Sequence, residues 1–255
     1  VLSNHYRPIS HYFRQNFSQV TNPPIDSLRE NNVMSLKTRF GNLGNILDFE
    51  NLTKENIYVL DSPVLTNSQL KKFKTMFSKK IKVIDCTFDT KNTLRNRIEE
   101  IREEAEIAVR GGANHLILSD QNISEERAIV PMILAVGAIH SYLVKLSLRG
   151  YASLNAQTAE AMDTHSFAVL IGVGATTVNP YLAIDSIFQR YEKKLFGELD
   201  FASCVERFKK SINAGLLKIM SKMGISVLSS YRGGCNFEAV GLSRGLVADY
   251  FPGMI

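Results

Sequence analysis

The side chains best suited to do chemistry in this chain are acidic and amide groups near the ends of predicted strands. They are Asp85, Thr87, Asp120, Asn155, Gln157 and Asn179. Folds of the α/β class place their sites outside the carboxyl ends of parallel strands, so these residues could line a site there. The same residue types dominate turns, and loop capping is the alternative that we favour from the sequence alone.

A second candidate lies near the end of the chain, where we predict a short strand over Lys222–Ile225 between Ser221 and Ser226. Gly224 in this strand would let a flat ligand approach the backbone closely. Gly233-Gly234 precede a predicted helix whose free amides could face an anion. A glycine-rich turn between a strand and a helix is the alternative, and composition alone favours the turn.

Familiar catalytic and metal-binding patterns are absent from the sequence. No G-x-S-x-G, Walker or H-E-x-x-H motif occurs, and Gly172-Val173-Gly174-Ala175 lacks the third glycine of a dinucleotide fingerprint. Packing or capping is the favoured role for three histidines within predicted elements: His115, His140 and His165. The cysteines show no metal-ligand spacing, so we expect reduced thiols and no metal site. They are Cys86, Cys204 and Cys235.

The elements that position these residues repeat as strand and helix from Ile81 onwards. Strands are predicted at 81–88, 115–120, 151–156 and 176–179, and helices at 93–110, 124–148, 163–171 and 181–194. Strands alternating with helices of this length require crossover connections and a parallel sheet. The predicted fold class is therefore α/β, with β-α units in a mainly parallel sheet, barrel-like or open, after an irregular N-terminal segment.

Composition limits the classes of partner. The 255 residues are 45% hydrophobic, with a net charge of +5 spread over short runs, so a basic stripe for nucleic acid is not indicated. The longest apolar run, Ile129–Leu148, is interrupted by Pro131, His140 and Lys145, and no transmembrane helix is predicted. No signal-peptide core occurs near the start, so a cytoplasmic location is expected. The first residue, Val1, suggests an excised or trimmed piece.

Three groups of motifs carry a resemblance to a known family. They are Thr21–Glu30 with Val33–Leu36, His165–Gly172 through Val178–Tyr181, and Lys222–Ser226 with Ser230–Gly233. Because these motifs follow the expected order across nearly the whole chain, the sequence resembles the large subunit of bacterial glutamate synthase. The resemblance is to its central domain, running into the start of the FMN-binding synthase domain.

This resemblance implies a multidomain enzyme of glutamate biosynthesis, ammonia assimilation and nitrogen metabolism. A glutaminase domain releases ammonia, which passes through an internal tunnel to 2-oxoglutarate, and the resulting iminoglutarate is reduced by FMN to L-glutamate. Electrons arrive through an iron-sulfur cluster, either from a small subunit carrying NADPH and FAD or from ferredoxin. The central domain connects the glutaminase and FMN-barrel domains of the same polypeptide.

The resemblance also implies that this chain is divided into three parts. They are an irregular segment over 1–50, an α/β central (linker) domain over 51–205 and a truncated start of the FMN-binding domain over 206–255. A complete barrel needs about 250 residues, and neither an N-terminal cysteine nucleophile nor cluster cysteines are present. We therefore expect the chain alone to be inactive and to bind no cofactor. Its expected role is to connect the two active sites.

Few functional residues carry over from the family. Met34 resembles a methionine that reaches the 2-oxoglutarate pocket, although a methionine in an apolar stretch is usually core. Met223, Gly224 and Ser226 resemble the first barrel strand, which runs beneath FMN. No catalytic residue is assigned. Cys235-Asn236 stand where many members carry Ala-Gln-Ile, a departure that we interpret as subfamily variation.

Two other functions stay open at this point. One is an independent α/β-barrel enzyme that uses Asp85, Asp120 and Asn179 at the strand ends. The other is a pure interaction module, which would associate with a glutaminase domain and bind no ligand. A polar stretch with two glycines, Thr38–Asn45, is predicted to be a loop that could close against another surface.

Overall fold

The computed structural model describes residues 7–17, 26, 28–40, 58–234 and 236–254. Its strands are β1 Phe13–Gln15, β2 Thr38–Phe40, β3 Tyr58–Leu60, β4 Ile81–Asp85, β5 Thr87–Asp89, β6 His115–Ser119, β7 Arg127–Ile129, β8 Ser153–Gln157, β9 Thr177–Asn179 and β10 Phe237–Ala239. Its helices are α1 Glu30–Val33, α2 Asn67–Met76, α3 Leu94–Arg110, α4 Met132–Lys145, α5 Thr164–Gly172, α6 Tyr181–Glu192, α7 Phe201–Lys222, α8 Leu228–Tyr231 and α9 Arg244–Tyr250.

A parallel sheet forms the centre of the fold. Its strands lie in the order β4-β6-β8-β9, and Val64 adds a parallel bridge to Val178 at the β9 edge. The side chains of Leu116, Leu118 and Leu154 are fully buried because helices cover the sheet. The predicted α/β class with a mainly parallel sheet is thereby confirmed.

Helices α3 and α5 begin where the sequence supplies a side-chain cap. The Thr93 hydroxyl accepts a hydrogen bond from the Asn96 amide at the start of α3, and Asp163 does the same for Ser166 at the start of α5. On α3, a stripe of buried residues one turn apart faces the core. These residues are Ile98, Ile101, Ala105 and Val109. Helix α4 is buried almost all round, which explains its continuous apolar sequence.

Two predicted helix and loop boundaries are wrong. The helix predicted over 124–148 starts only at Met132, because Arg127–Ile129 form β7, which pairs antiparallel with β5. Pro131, with its fixed φ and no amide hydrogen, suits the position just before that helix. The predicted loop over Thr38–Asn45 is also wrong at its start, because residues 38–40 form β2. Residues 41–45 lie outside the described residues.

The predicted strand over Lys222–Ile225 is wrong as well. Lys222 is the last residue of α7, whose buried Ile212, Leu216 and Met220 recur every four residues. Gly224 has a φ of +68° and donates its amide to the Ser221 carbonyl, and the next amide bonds to the Met220 carbonyl. This pair of bonds is a Schellman ending, in which glycine avoids the Cβ clash of the left-handed conformation.

The segment after α8 also differs from the prediction. Gly233-Gly234 lead not into a helix but toward β10, which pairs antiparallel with β1. The proposed domain boundary between residues 205 and 206 falls inside α7, and the division into domains stays a prediction. Among the helices of the described residues, none combines the length and apolar character needed to cross a membrane.

Candidate functional site

Asp85, at the end of β4, is hydrogen-bonded to side chains of neighbouring elements. Its carboxylate accepts hydrogen bonds from the Thr87 hydroxyl at 2.8 Å, the Asn122 amide at 3.0 Å and Arg127 Nη2 at 3.0 Å. Burial alone would raise the pKa of Asp85, but the hydrogen bonds from Asn122 and Thr87 and the charge of Arg127 lower it overall. This carboxylate therefore anchors β5 and β7 to the sheet.

Asp120 follows β6 and is fully buried. Its carboxylate accepts from the Thr158 hydroxyl at 2.6 Å and the Ala159 amide at 3.1 Å, and it also bonds to Tyr181. Burial raises the pKa of Asp120, and the same cause raises the pKa of nearby Glu160, which accepts from the Met132 amide. These buried acids join the ends of β6 and β8 to the starts of α4 and α6.

The amide side chains at the strand ends are bonded in the same local way. Asn179 donates to the Leu65 carbonyl and to Asn67 Oδ1, both at 2.9 Å, while Gln157 accepts from Lys74 Nζ at 3.0 Å. Asn155 lies deep in the sheet and accepts from the hydroxyl of the neighbouring Thr177.

No hydrogen bond joins Asp85, Asp120 and Asn179 to one another in the described part of the chain. Each of these side chains instead fastens its own strand to the elements beside it. This arrangement supports the capping interpretation of the strand-end residues.

The second candidate region brings distant segments together. The Ser35 amide donates to the Ser226 carbonyl at 2.8 Å, and the Leu228 amide donates to the Ser35 carbonyl at 3.1 Å. Met34 therefore lies in the segment that pairs with Ser226, and its side chain is only 7% exposed. The segment of the predicted substrate residue Met34 is thus adjacent to the predicted cofactor residue Ser226.

Gln15 links the same region to the rest of the fold. Its Nε2 donates to the Asn236 carbonyl at 2.9 Å and to Met223 Sδ at 3.2 Å, and its Oε1 accepts from the Tyr231 hydroxyl at 2.6 Å. Tyr231 is 1% exposed, and burial raises its pKa. We call Gln15, Met223, Tyr231 and Asn236 the Gln15 junction. The sequence gives no signal for Gln15, because its partners in this junction lie more than 200 residues away.

All three histidines make hydrogen bonds within the fold, which is consistent with the predicted roles in packing and capping. His165 Nε2 bonds to the Ser10 carbonyl at 2.8 Å, and His115 Nδ1 bonds to the Ser153 hydroxyl at 2.8 Å. His140 Nδ1 accepts from Arg149 Nε at 3.1 Å. Burial, helped by neighbouring positive charge, lowers the pKa values of His115 and His140 to about 4. Both imidazoles are therefore neutral at pH 7.

Potential metal ligands are scattered. Within the described ranges, no group of three or more His, Cys, Asp or Glu residues is arranged to hold a metal ion. Cys86 and Cys204 are buried free thiols, and burial raises the pKa of Cys86. Cys235 lies outside the described residues.

Comparisons with known proteins give a consistent result. The family model for the glutamate synthase central domain matches residues 1–243. The large chain of the NADPH glutamate synthase of Azospirillum brasilense is 56% identical over 258 residues, covering 100% of this chain and 17% of that one. The large chain from Bacillus subtilis is 40% identical and covers 99% and 16%. The chloroplastic ferredoxin-dependent glutamate synthase of Spinacia oleracea is 39% identical and covers 100% and 17%.

The chain thus spans 16–17% of the length of these relatives. Among solved structures, a double mutant of flavocytochrome b2 with pyruvate bound aligns with a TM-score of 0.46 and 13% identity, covering 70% of this chain and 40% of that one. A similarity of this size supports no argument about function. The family model matches residues 1–243, and the Azospirillum brasilense relative matches this chain from end to end. This chain therefore belongs to the glutamate synthase central domain family.

Proposed function

We propose that this chain is the central part of a glutamate synthase large chain, which makes L-glutamate from glutamine and 2-oxoglutarate by amide transfer and FMN-mediated reduction. The observation that carries this proposal is 56% identity over the whole chain to a protein named glutamate synthase large chain. Both an NADPH-dependent and a ferredoxin-dependent enzyme occur among the relatives, so the electron donor is a small subunit carrying NADPH and FAD, or ferredoxin. An iron-sulfur cluster and a cytoplasmic location belong to the same proposal.

The role of the chain itself is to hold the glutaminase and synthase sites in register. The strand-end polar groups favour this role, because they bond to neighbouring elements of the chain. The Gln15 junction favours it too, since it fastens the start of the described chain to residues after α7. A rigid connector would keep the path between the two sites in a fixed geometry.

Met34 is the proposed 2-oxoglutarate contact, and Met223, Gly224 and Ser226 are the proposed FMN contacts. Gly224 and Ser226 are exposed and Met223 is partly exposed, which fits an edge that a flat ring can touch. These residues fit one side of a flavin site and do not enclose it, so further residues must complete the site. FMN, when bound, supplies the reducing electrons. The backbone bond between Ser35 and Ser226 would keep the substrate contact beside the flavin contact.

The test uses the full-length protein that contains this chain. Glutamine and 2-oxoglutarate are supplied with NADPH and the small subunit, or with reduced ferredoxin, and glutamate formation is measured. We expect Met34→Ala to raise the KM for 2-oxoglutarate about tenfold, as the loss of a buried contact worth about 1.4 kcal/mol would. Met76→Ala is the matched control, because Met76 is 61% exposed on α2.

An unchanged KM in Met34→Ala would remove Met34 from the substrate site. Failure of the wild type to form glutamate with either reductant would refute the proposed function as a whole.

A further inference from the structure

Two arginines, Arg149 and Arg232, lie beside His140. Arg149 Nε donates to His140 Nδ1 at 3.1 Å, and its Nη2 donates to the Gly174 carbonyl at 2.9 Å. Nη1 of the same side chain donates to the Ala152 carbonyl. All of these acceptors are neutral, so hydrogen bonds hold the guanidinium in place without cancelling its charge.

Arg232 adds a second positive charge to the same place. Its Nε is buried and has no hydrogen-bond partner, although the side chain as a whole is partly exposed. Arg232 precedes Gly233, whose Cβ would lie 2.9 Å from His140 Nε2, so its backbone lies beside the same ring. Burial first, and the charge of Arg232 after it, lower the pKa values of both Arg149 and His140. Within the described ranges, no carboxylate forms an ion pair with either arginine.

His140 does not add a third charge, because burial first and the two arginines second lower its pKa to about 4. Its ring is held between two glycines. A Cβ on Gly174 would come within 2.4 Å of the ring, and one on Gly233 would come within 2.9 Å of Nε2. A cavity of about 320 Å³, lined in part by His140, Gly233 and Phe251, opens beside this arrangement.

Two like charges near each other without a counter-ion are costly to keep, since they repel each other and each loses hydration to the extent that it is buried. An anion placed between them would offset both costs, and a guanidinium is suited to bind carboxylate or phosphate through paired hydrogen bonds. We propose that Arg232, supported by the charge of Arg149, binds an oxyanion, carboxylate or phosphate, beside His140 and Gly233.

The oxyanion has two possible sources. It is either a free small anion or a carboxylate side chain from another segment of a longer polypeptide that contains this chain. Both sources would present the same kind of negatively charged oxygen atoms to Arg232. They differ in whether the site is still vacant in the full-length polypeptide. This proposal does not depend on the proposed glutamate synthase activity.

The test measures binding of inorganic phosphate and of malonate by calorimetry at constant ionic strength, with the midpoint of thermal unfolding as a second readout. Arg232→Gln is compared with wild type, and Arg190→Gln, on the exposed surface of α6, is the matched control. We expect at least one anion to bind wild type and the Arg190 variant, and to bind Arg232→Gln at least tenfold more weakly. The unliganded Arg232→Gln protein must melt cooperatively, which separates lost binding from lost folding.

The full-length polypeptide distinguishes the two sources. Binding to both the 255-residue chain and the full-length protein identifies a free anion as the ligand. Binding to the 255-residue chain alone identifies a side-chain carboxylate that already fills the site in the full-length protein. Equal affinity of wild type and Arg232→Gln, or no binding of either anion to wild type, would overturn the proposal.

Discussion

Replacing Tyr231 by phenylalanine tests the Gln15 junction with the removal of a single oxygen atom. The Tyr231 hydroxyl donates to Gln15 Oε1 at 2.6 Å, and the ring is 1% exposed. The ring contacts with Phe237 are kept in the variant, so the change isolates the hydrogen bond. Gln15 retains its bonds through Nε2 to Asn236 and Met223.

The expected loss of stability follows from the hydrogen bond that Gln15 Oε1 loses in this variant. A buried acceptor left without a donor costs about 1–3 kcal/mol. Because Gln15 is partly exposed, water can reach it in part, and we expect a loss near the lower end, about 1.5 kcal/mol. For a domain of this size, that loss corresponds to a fall of about 3–6 °C in the unfolding midpoint.

The assay is equilibrium urea unfolding followed by circular dichroism, with Tyr151→Phe as the control. The Tyr151 side chain is 51% exposed, so its variant should unfold within about 0.5 kcal/mol of wild type. A Tyr231→Phe protein that also stays within about 0.5 kcal/mol of wild type would refute the claim that this bond stabilises the junction.

Two further changes test the packing and capping of α5. Gly172→Ala places a Cβ 2.3 Å from the Phe237 ring, whereas a Cβ at Gly150 meets nothing within 4 Å. Only Gly172→Ala should therefore lower the free energy of unfolding, by about 1–3 kcal/mol in urea unfolding. Equal stability of the two variants would contradict the packing. Asp163→Ala should cost about 1 kcal/mol at pH 7, while Asp163→Asn should keep most of the cap. Burial would raise the pKa of Asp163, but hydrogen bonds from Ser166 lower it overall, so the ionised cap stabilises the fold above the unfolded carboxyl pKa. The difference from wild type should therefore shrink below about pH 4, and a difference independent of pH would contradict this account.

The sheet and its helices could be predicted because their signals are local. Strand β6 contains the continuous apolar run Leu116–Leu118, and α3 carries a buried stripe with helical spacing. Caps at Thr93 and Asp163 mark helix starts in the sequence itself. These features depend on neighbouring residues, which a single sequence displays.

The errors occur where pairing is long-range or where two periods compete. Strand β7 exists because it pairs with β5, and β10 because it pairs with β1, and neither partner is visible from the local sequence. The sequence-based prediction over Lys222–Ile225 is a strand, although the spacing of Ile212, Leu216 and Met220 just before it indicates a helix. That spacing, followed by glycine, was a signal that could have found the end of α7.

The same difference between local and long-range signals applies to the candidate site. The resemblance singled out both Met34 and Ser226, and the structure brings their segments together through Ser35. Neither Gln15 nor the pair Arg149 and Arg232 could be found from the sequence, since their importance comes from burial and from partners distant in the chain. A lone glutamine or arginine carries no pattern of its own.

The proposed role of this chain is to keep a glutaminase site and a synthase site coupled to each other. The measurement that tests it most directly is the ratio of glutamine hydrolysed to 2-oxoglutarate consumed by the full-length protein, in wild type and in Tyr231→Phe. We predict equal consumption in wild type and an excess of glutamine hydrolysis in the variant. Wild-type protein that consumes no 2-oxoglutarate with glutamine, or an unchanged ratio in a variant destabilised as expected, would contradict the claim.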